Sequence, residues 1–513
     1  MKKDRVTVNG KSLSIEEVHE VAYGNVHVHI CPEAMQTVLE ARRIVLEMLD
    51  EDIPVYGLNR GVGANKDRNI DANFYEEFNN NLIRSHCVGI GPEASEEVVR
   101  AAMLVRLNTL LLGYTGIQPE IVIMYKDFLN YRIHPVIPER GSVGEADIAN
   151  LSYIGLAMIG EGEVHYQGIK MPAIEALRNA GLVPIKLGPK DGLAIVSSNA
   201  LTAGKASLVL KEALSVLEIA EVIYSLSLEG LDGNVSPLHK GAYKARPFPG
   251  QDKSADNVRN YLKGSFLWET NSTKSLQDPL SFRGACQVHG SVRDSLDYVT
   301  NYLHLQLNSS DDNPCLLVEE KRFISCSNYE VLSWVLGFEM LGNALNHLAK
   351  ISCFRIIKLG TASFTGLPRF LAPNDQTIAF GTIQKTVGVL ATEIRHLSNP
   401  STSDYFSLAE DIEDHANNSM HVVTKTAKII DNLYYLLGIE AMHAAQAIDL
   451  RGKKRLGSGT KLAYESVRST IPFLDKDRQL LPDIQQAYSL LKSPNFLEGI
   501  VESLEGVAVE ENG

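Results

Sequence analysis

Five stretches of this chain, roughly 203–231, 284–307, 329–354, 375–398 and 413–450, carry apolar residues at helical spacing over lengths that strands do not reach. They predict the long helices of a bundle, and with them an all-α fold. The apolar positions wrap widely around each stretch, so some faces are expected to bury against other copies of the chain as well as against the core. A small mixed region precedes them. Asn25–Ile30 alternates as a strand with His27 and His29 on one face, a surface or structural pair. Helical spacing takes over from about residue 33, where Pro32 suits a helix start. The glycine-rich run Tyr56–Gly63 interrupts that pattern and must be a loop; it lacks the strand-turn-helix context of a dinucleotide fingerprint. Residues 233–253, rich in Gly, Pro and basic side chains, mark the clearest change in composition. The expected domains are a mixed N-terminal one (1–202) with the Tyr56 loop, a long-helix bundle (203–470) and a C-terminal helical segment (471–513).

Charge and cysteine usage narrow the function classes. A formal net charge of −13 over 513 residues argues against nucleic acid or an anionic membrane surface as partner. The six cysteines show no CxxC spacing, which predicts reduced thiols, a cytoplasmic location and no metal centre. No apolar leader follows the charged start, and no stretch long enough to span a bilayer is free of charge.

The segment Pro138-Glu-Arg-Gly-Ser-Val-Gly-Glu-Ala-Asp147, continuing into Ile-Ala-Asn-Leu-Ser-Tyr-Ile-Gly, resembles the signature of the histidine and aromatic amino acid ammonia-lyases. In that family the segment reads Gly-Ser-Val-Gly-Ala-Ser-Gly-Asp, and its Ala-Ser-Gly cyclises into a methylidene-imidazolone electrophile that activates the substrate amine. Here Gly144-Glu145-Ala146-Asp147 stands in its place, one residue shorter and without the serine. Ser142 is a poor substitute, because the amide closing the ring would come from β-branched Val143, where close backbone approach favours glycine.

Other segments follow the family's order from about residue 13 to 475, which implies the long-helix ammonia-lyase fold, akin to fumarase and aspartase. Val55-Tyr56-Gly resembles the loop of the catalytic tyrosine, making Tyr56 the candidate base; a free phenol has a pKa of about 10, so a nearby cation is expected to favour the phenolate. In Asn81-Leu-Ile-Arg-Ser-His86, His86 falls where histidine-specific members meet the substrate ring. Ser275-Leu-Gln-Asp-Pro-Leu-Ser-Phe-Arg283 resembles the element of the carboxylate-binding arginine, a role that suits the planar fork of Arg283; the family's tyrosine is Leu280 here. In Gly192-Leu-Ala-Ile-Val-Ser-Ser198, Ser197 replaces an orienting asparagine, with Asn199 an alternative two residues on. Ser327-Asn-Tyr329 places Tyr329 either in the pocket wall or as a helix-start core aromatic. Glu410-Asp-Ile-Glu-Asp-His415 puts Glu413 on the acidic residue that meets imidazole in histidine-specific enzymes. In Thr382-Ile-Gln-Lys-Thr386, Lys385 occupies a position usually uncharged, where it can pair with Glu413, lower the pKa of Tyr56, or hold a substituent on the azole.

Elimination without the electrophile requires a substrate whose amine is already a leaving group. A trimethylammonium is positively charged at every pH, and a 2-thioimidazole on the neighbouring carbon acidifies the β-proton. Ergothioneine has both, so the expected reaction releases trimethylamine and leaves thiolurocanate. Tyr56 would take the proton, Arg283 the carboxylate, and Lys385, Glu413 and His86 the thioimidazole, with Leu280 and Tyr329 beside the methyl groups. No cofactor or metal is implied, and the family's habit implies a homotetramer with shared active sites. The alternatives are a conventional histidine ammonia-lyase, which a protein mass lower by two waters would revive, an aminomutase, and a non-catalytic azole-betaine-binding protein.

Overall fold

The computed structural model describes residues 4–269, 275–452 and 454–510. The chain is mostly helical and divides into two compact units, each assembled from separate pieces of sequence. The first takes Met1–Lys211, Val299–Leu336 and Pro400–Thr424; the second takes Glu212–Tyr298, Gly337–Asn399 and Lys425–Gly513.

The first unit opens with strands β1 (Arg5–Val8) and β2 (His27–Ile30), paired in parallel, with Val28 facing the core and His27 and His29 outward. Pro32 then begins a helix, Pro32–Asp50. Three helices of this unit pack on one another: α1 (Tyr75–His86), α2 (Ile148–Met158) and α3 (Asp191–Val196). A buried amide ties two of them, since Gly192 N–H at the start of α3 donates to Asn79 Oδ1 at 2.7 Å. His86 ends α1, Asp147 precedes α2 and Ser197 follows α3. Short strands absent from the sequence expectation decorate the unit: Ile90–Glu93 with Pro138–Arg140, a three-stranded sheet of Ile133–Pro135, Glu163–Tyr166 and Ile169–Pro172, and Cys315–Leu317 with Arg322–Ile324. Strands of three or four residues are too short for a period of two to register.

The long helices are α4 (Ala200–Leu231), α6 (Ala285–Leu307), α7 (Leu332–Leu359), α8 (Gln384–Leu397) and α9 (Ser419–Leu450), with the one-turn α5 (Leu280–Arg283) ahead of α6. Two begin later than the periodicity suggests. Before α8 the chain turns at Asn374, and Asp477 accepts from the amides of Ile378 and Ala379, both at 2.9 Å, ending any helix there. Before α9, Ala409, Glu410 and Asp411 all take left-handed backbone angles, which no α-helix of L-residues tolerates.

In the second unit the register of three helices is set by a buried ion pair. Arg355 of α7 meets Glu440 of α9 through Nε at 2.5 Å and Nη2 at 2.9 Å, both side chains fully buried. Ser227 of α4 and Ser352 of α7 donate to the remaining positions of the same carboxylate. Filling every lone pair is what makes such a burial tolerable. All six cysteines are free thiols, and among the described residues no helix is long and apolar enough to cross a membrane.

Candidate active site

Tyr56 sits at the head of a tightly braced loop. Asn59 Oδ1 accepts from Val55 N–H at 2.8 Å while its amide donates to Ile53 O, and isolated bridges join Tyr56 to Arg60 and Arg60 to Asn69. Gly57 holds a φ of +67° and lies against α3: a Cβ there would stand 2.2 Å from Leu193 Cδ2, so only glycine lets the loop approach. The phenol oxygen accepts from Gly63 N–H at 2.8 Å. Burial raises its pKa above the ordinary value, the Gly63 amide opposes this, and the charges of Glu413 and Tyr329 push it higher. The neighbours whose charge acts on it here, Glu413 and Tyr329, are both acidic groups.

The loop that replaces the family's triad folds against two anchors. Asp147, fully buried, receives Thr202 N–H and Thr202 Oγ1 on its two oxygens at 2.8 Å each, and its own amide donates to Ser198 O at 2.7 Å. Burial pushes its carboxyl up to about 6 against those hydrogen bonds. Gly144, with a φ of +102°, lies against Asn417, whose Oδ1 would be 2.1 Å from an added Cβ. Asn418 N–H donates to Val143 O at 2.8 Å, and Ser142 Oγ accepts from Gly144 N–H at 3.1 Å.

Between these anchors the side chain of Glu145 enters an acidic group that motif matching alone does not reveal. Fully buried Asn417 donates through Nδ2 to Glu330 Oε1 at 2.9 Å, to Glu145 Oε1 at 3.3 Å and to Gly144 O at 3.4 Å, while its Oδ1 accepts from Ser419 N–H at 3.0 Å. His415 Nε2 lies 2.9 Å from Glu330 Oε2. Burial, a hydrogen bond with Glu330 and the charges of Glu330 and Glu413 push the Glu145 carboxyl up to about 8. Glu145, Glu330 and His415 hold ligand-type atoms within 4.8 Å of one another. The only sequence signal was adjacency: Glu330 follows Tyr329, and His415 and Asn417 follow Glu413.

Tyr329 lies on the turn before α7, half-buried. Asn199 Nδ2 donates to its carbonyl at 2.6 Å, and Asn199 Oδ1, in a fully buried side chain, has no hydrogen-bond partner. Ser197 Oγ instead accepts from Asn313 N–H at 3.3 Å, and Ser198 and the Asn199 amide bind Asp311 at 2.9 and 2.8 Å. Of the two sequence candidates in this segment, Asn199 is therefore the one with an open acceptor. His86 directs Nδ1 to Leu82 O at 2.7 Å; a carbonyl only accepts, so Nδ1 carries a proton and Nε2 is left as the nitrogen for a ligand.

Glu413 rides on a self-braced loop. Leu408 and Glu413 form an isolated antiparallel bridge, Tyr405 Oη donates to Glu413 O at 2.5 Å, and Asn418 Nδ2 closes the base on Ser401 O and Asp404 O. Its side chain is exposed within its own unit.

Three candidates belong to the second unit. Leu280 is 71% exposed at the start of α5. Arg283 ends that turn, half-buried, with its Nε buried and unpartnered. Lys385 is exposed in the first turn of α8, the positive end of the helix dipole, where a cation gains nothing locally. Tyr56, Tyr329, Glu413, Glu145 and Glu330 are thus brought together, whereas Leu280, Arg283 and Lys385 stand on another body of the fold.

The aromatic amino acid lyase model matches residues 13–469. The chain belongs to that family. A histidine ammonia-lyase of Stigmatella aurantiaca is 35% identical over 99% of this chain and 100% of its own length. Among solved structures, the chain resembles the ergothioneine-degrading ergothionase of Treponema denticola, in complex with desmethyl-ergothioneine sulfonic acid. That likeness has a TM-score of 0.94 and 49% identity, covering 96% of this chain and all of that one. Histidine ammonia-lyase of Trypanosoma cruzi matches with a TM-score of 0.89 and 28% identity over 97% of this chain and 95% of that one. The chain is therefore a lyase-family protein of the ammonia-lyase fold.

Proposed function

We propose that this chain eliminates trimethylamine from ergothioneine, yielding thiolurocanate, without a protein-derived electrophile. The observation that carries the reading is the Glu145 carboxyl: where relatives build an electrophile that adds to a neutral amine, this loop puts an acidic side chain within 4.8 Å of a second one, Glu330, with one buried amide donating to both. Such a pair offers no electrophile to an amine lone pair and suits a fixed positive charge. The likeness to the Treponema denticola ergothionase supports the same choice.

In this reading Tyr56 removes the β-proton, His86 and Glu413 bind the ring, and Tyr329 and Asn199 line the side of the methyl groups. Arg283 takes the carboxylate with its guanidinium, Lys385 meets the sulfur, and Leu280 gives an apolar contact; these three are supplied by other copies of the chain in a homotetramer of the cytoplasm. A cation arriving with Lys385 offsets the acidic neighbours that raise the Tyr56 pKa.

The test is to incubate the purified protein separately with ergothioneine and with L-histidine, following near-ultraviolet absorbance of the acrylate and assaying trimethylamine and ammonia. Trimethylamine from ergothioneine alone is the expected result. Ammonia from histidine would restore the ammonia-lyase activity named for the sequence relatives, and binding of ergothioneine without turnover would leave a betaine-binding protein.

A further inference from the structure

Loss of the electrophile leaves two tasks on the amine side of the substrate: holding the ammonium, and disposing of the amine once the C–N bond breaks. Glu145 and Glu330 lie far apart in sequence, on the triad-replacing loop and on the turn before α7, yet one buried amide, Asn417 Nδ2, donates to both. His415 Nε2, on the segment that follows Glu413, stands 2.9 Å from Glu330 Oε2. Beside them, Asn199 is fully buried, reaches Tyr329 next to Glu330, and keeps an unpartnered Oδ1. A quaternary ammonium has no N–H, so polarised C–H groups are what it can offer to such acceptors.

We propose that Glu145 and Glu330, coupled through Asn417, bind the trimethylammonium head and then protonate the departing trimethylamine, an inference that rests on the betaine-elimination reading above. The balance is as follows. Tyr56 takes the β-proton, the C–H pair becomes the new C=C bond, and the C–N pair leaves on nitrogen as neutral trimethylamine. That lone pair then takes the proton of the Glu145 carboxyl, giving trimethylammonium beside a carboxylate. The proton on Tyr56 restores Glu145 through solvent, so nothing is oxidised or reduced.

Electrostatics favour a pair that retains one proton. Positive charge on nitrogen vanishes in the transition state, so two fixed carboxylates would hold the reactant more tightly than the transition state and slow the step. A carboxyl protonated up to about pH 8 avoids this and holds the proton that the amine needs. The groups acting on Glu145 are Glu330 and Glu413; His415 contacts Glu330, and Tyr405 and Asp414 lie on the Glu413 loop.

The test compares the wild type with Glu145→Gln and Glu330→Gln, confirmed as folded by circular dichroism, using tetramethylammonium chloride as a probe of the head-group site and thiolurocanate as a ligand without one. Expected are competitive inhibition of ergothioneine turnover by tetramethylammonium, at least tenfold weaker in both variants, with thiolurocanate inhibition unchanged. Wild-type kcat/KM should fall above about pH 8, a limb missing in Glu145→Gln. Equal tetramethylammonium inhibition in all three proteins overturns the proposal while leaving ergothioneine turnover standing. So does activity that is lost with EDTA and restored by zinc, which would make Glu145, Glu330 and His415 metal ligands. If the wild type does not consume ergothioneine, the functional reading fails; tetramethylammonium binding, followed by calorimetry, then still decides whether the pair takes a quaternary ammonium.

Discussion

Replacing Asn417 by aspartate changes almost no volume and inverts the role of the one amide that holds the acidic pair together. Its Nδ2 now donates to Glu330 Oε1 at 2.9 Å. A carboxylate there would repel Glu330 by about 6 kcal/mol at that distance and an effective dielectric of about 20. Protonating an ordinary aspartate at about pH 7 costs about 4 kcal/mol, so the folded protein escapes the repulsion by taking up a proton. The penalty is therefore about 4 kcal/mol near pH 7. The sign follows from linkage: a carboxyl whose folded pKa is raised loses stability as pH rises, because the unfolded chain has already released the proton that the folded one must keep. The gap to wild type should shrink by about 1.4 kcal/mol for each pH unit of acidification and nearly close near pH 4. With an unfolding entropy of about 2.1 cal/mol/K per residue, each kcal/mol is about 1 °C in a chain of this size, so the Tm of Asn417→Asp should trail by about 4 °C near neutrality and about 1 to 2 °C near pH 5. Thermal unfolding by circular dichroism across this range checks it. A gap that is the same at every pH would refute the reasoning, because it would mean the new carboxyl never feels the pair.

Tyr56→Phe should abolish turnover, by at least two orders of magnitude, while ergothioneine still binds by calorimetry; near-normal rates would remove Tyr56 as the base. Lys385→Met should damage turnover of the thiolated betaine more than that of N-trimethylhistidine, and equal losses on both would argue against sulfur recognition. Arg355→Met should cost about 3 to 5 kcal/mol in urea unfolding, since it strands Glu440 in a dry core. Glu440→Gln should cost at least as much, because it leaves the Arg355 guanidinium in the same dry core without a counter-charge and gives two serine donors one oxygen between them.

Much of this molecule is legible in the chain. The long helices declare themselves by period, and the resemblance along the chain places Tyr56, His86, Arg283 and Glu413 on the segments where the structure finds loops and helix ends. The acidic pair was illegible for a physical reason: a carboxyl–carboxyl contact is unfavourable in isolation and becomes tolerable only through burial, a retained proton and an amide contributed from a third segment. No local pattern records that arrangement. Likewise, the Ser197 and Asn199 alternatives differ only once the Asn313 amide is seen on Ser197 Oγ and the Oδ1 of Asn199 is seen to have no partner. The starts of α8 and α9 were misplaced because the residues ahead of them keep apolar spacing, while a distant aspartate in one case and left-handed backbone in the other decide the conformation.

The loop that carries Glu413 closes on itself, with a bridge from Leu408, a hydroxyl from Tyr405 and a base tied by Asn418. Such a construction is a cassette. Its interior bonds travel with it, so residues 405–413 can be exchanged or diversified while the Tyr56 loop and the anchors of Asp147 are left alone. On the proposed reading, in which Glu413 meets the ring and Tyr56 takes the proton, a laboratory library confined to that loop should alter which azoles are accepted without rebuilding the Tyr56 loop.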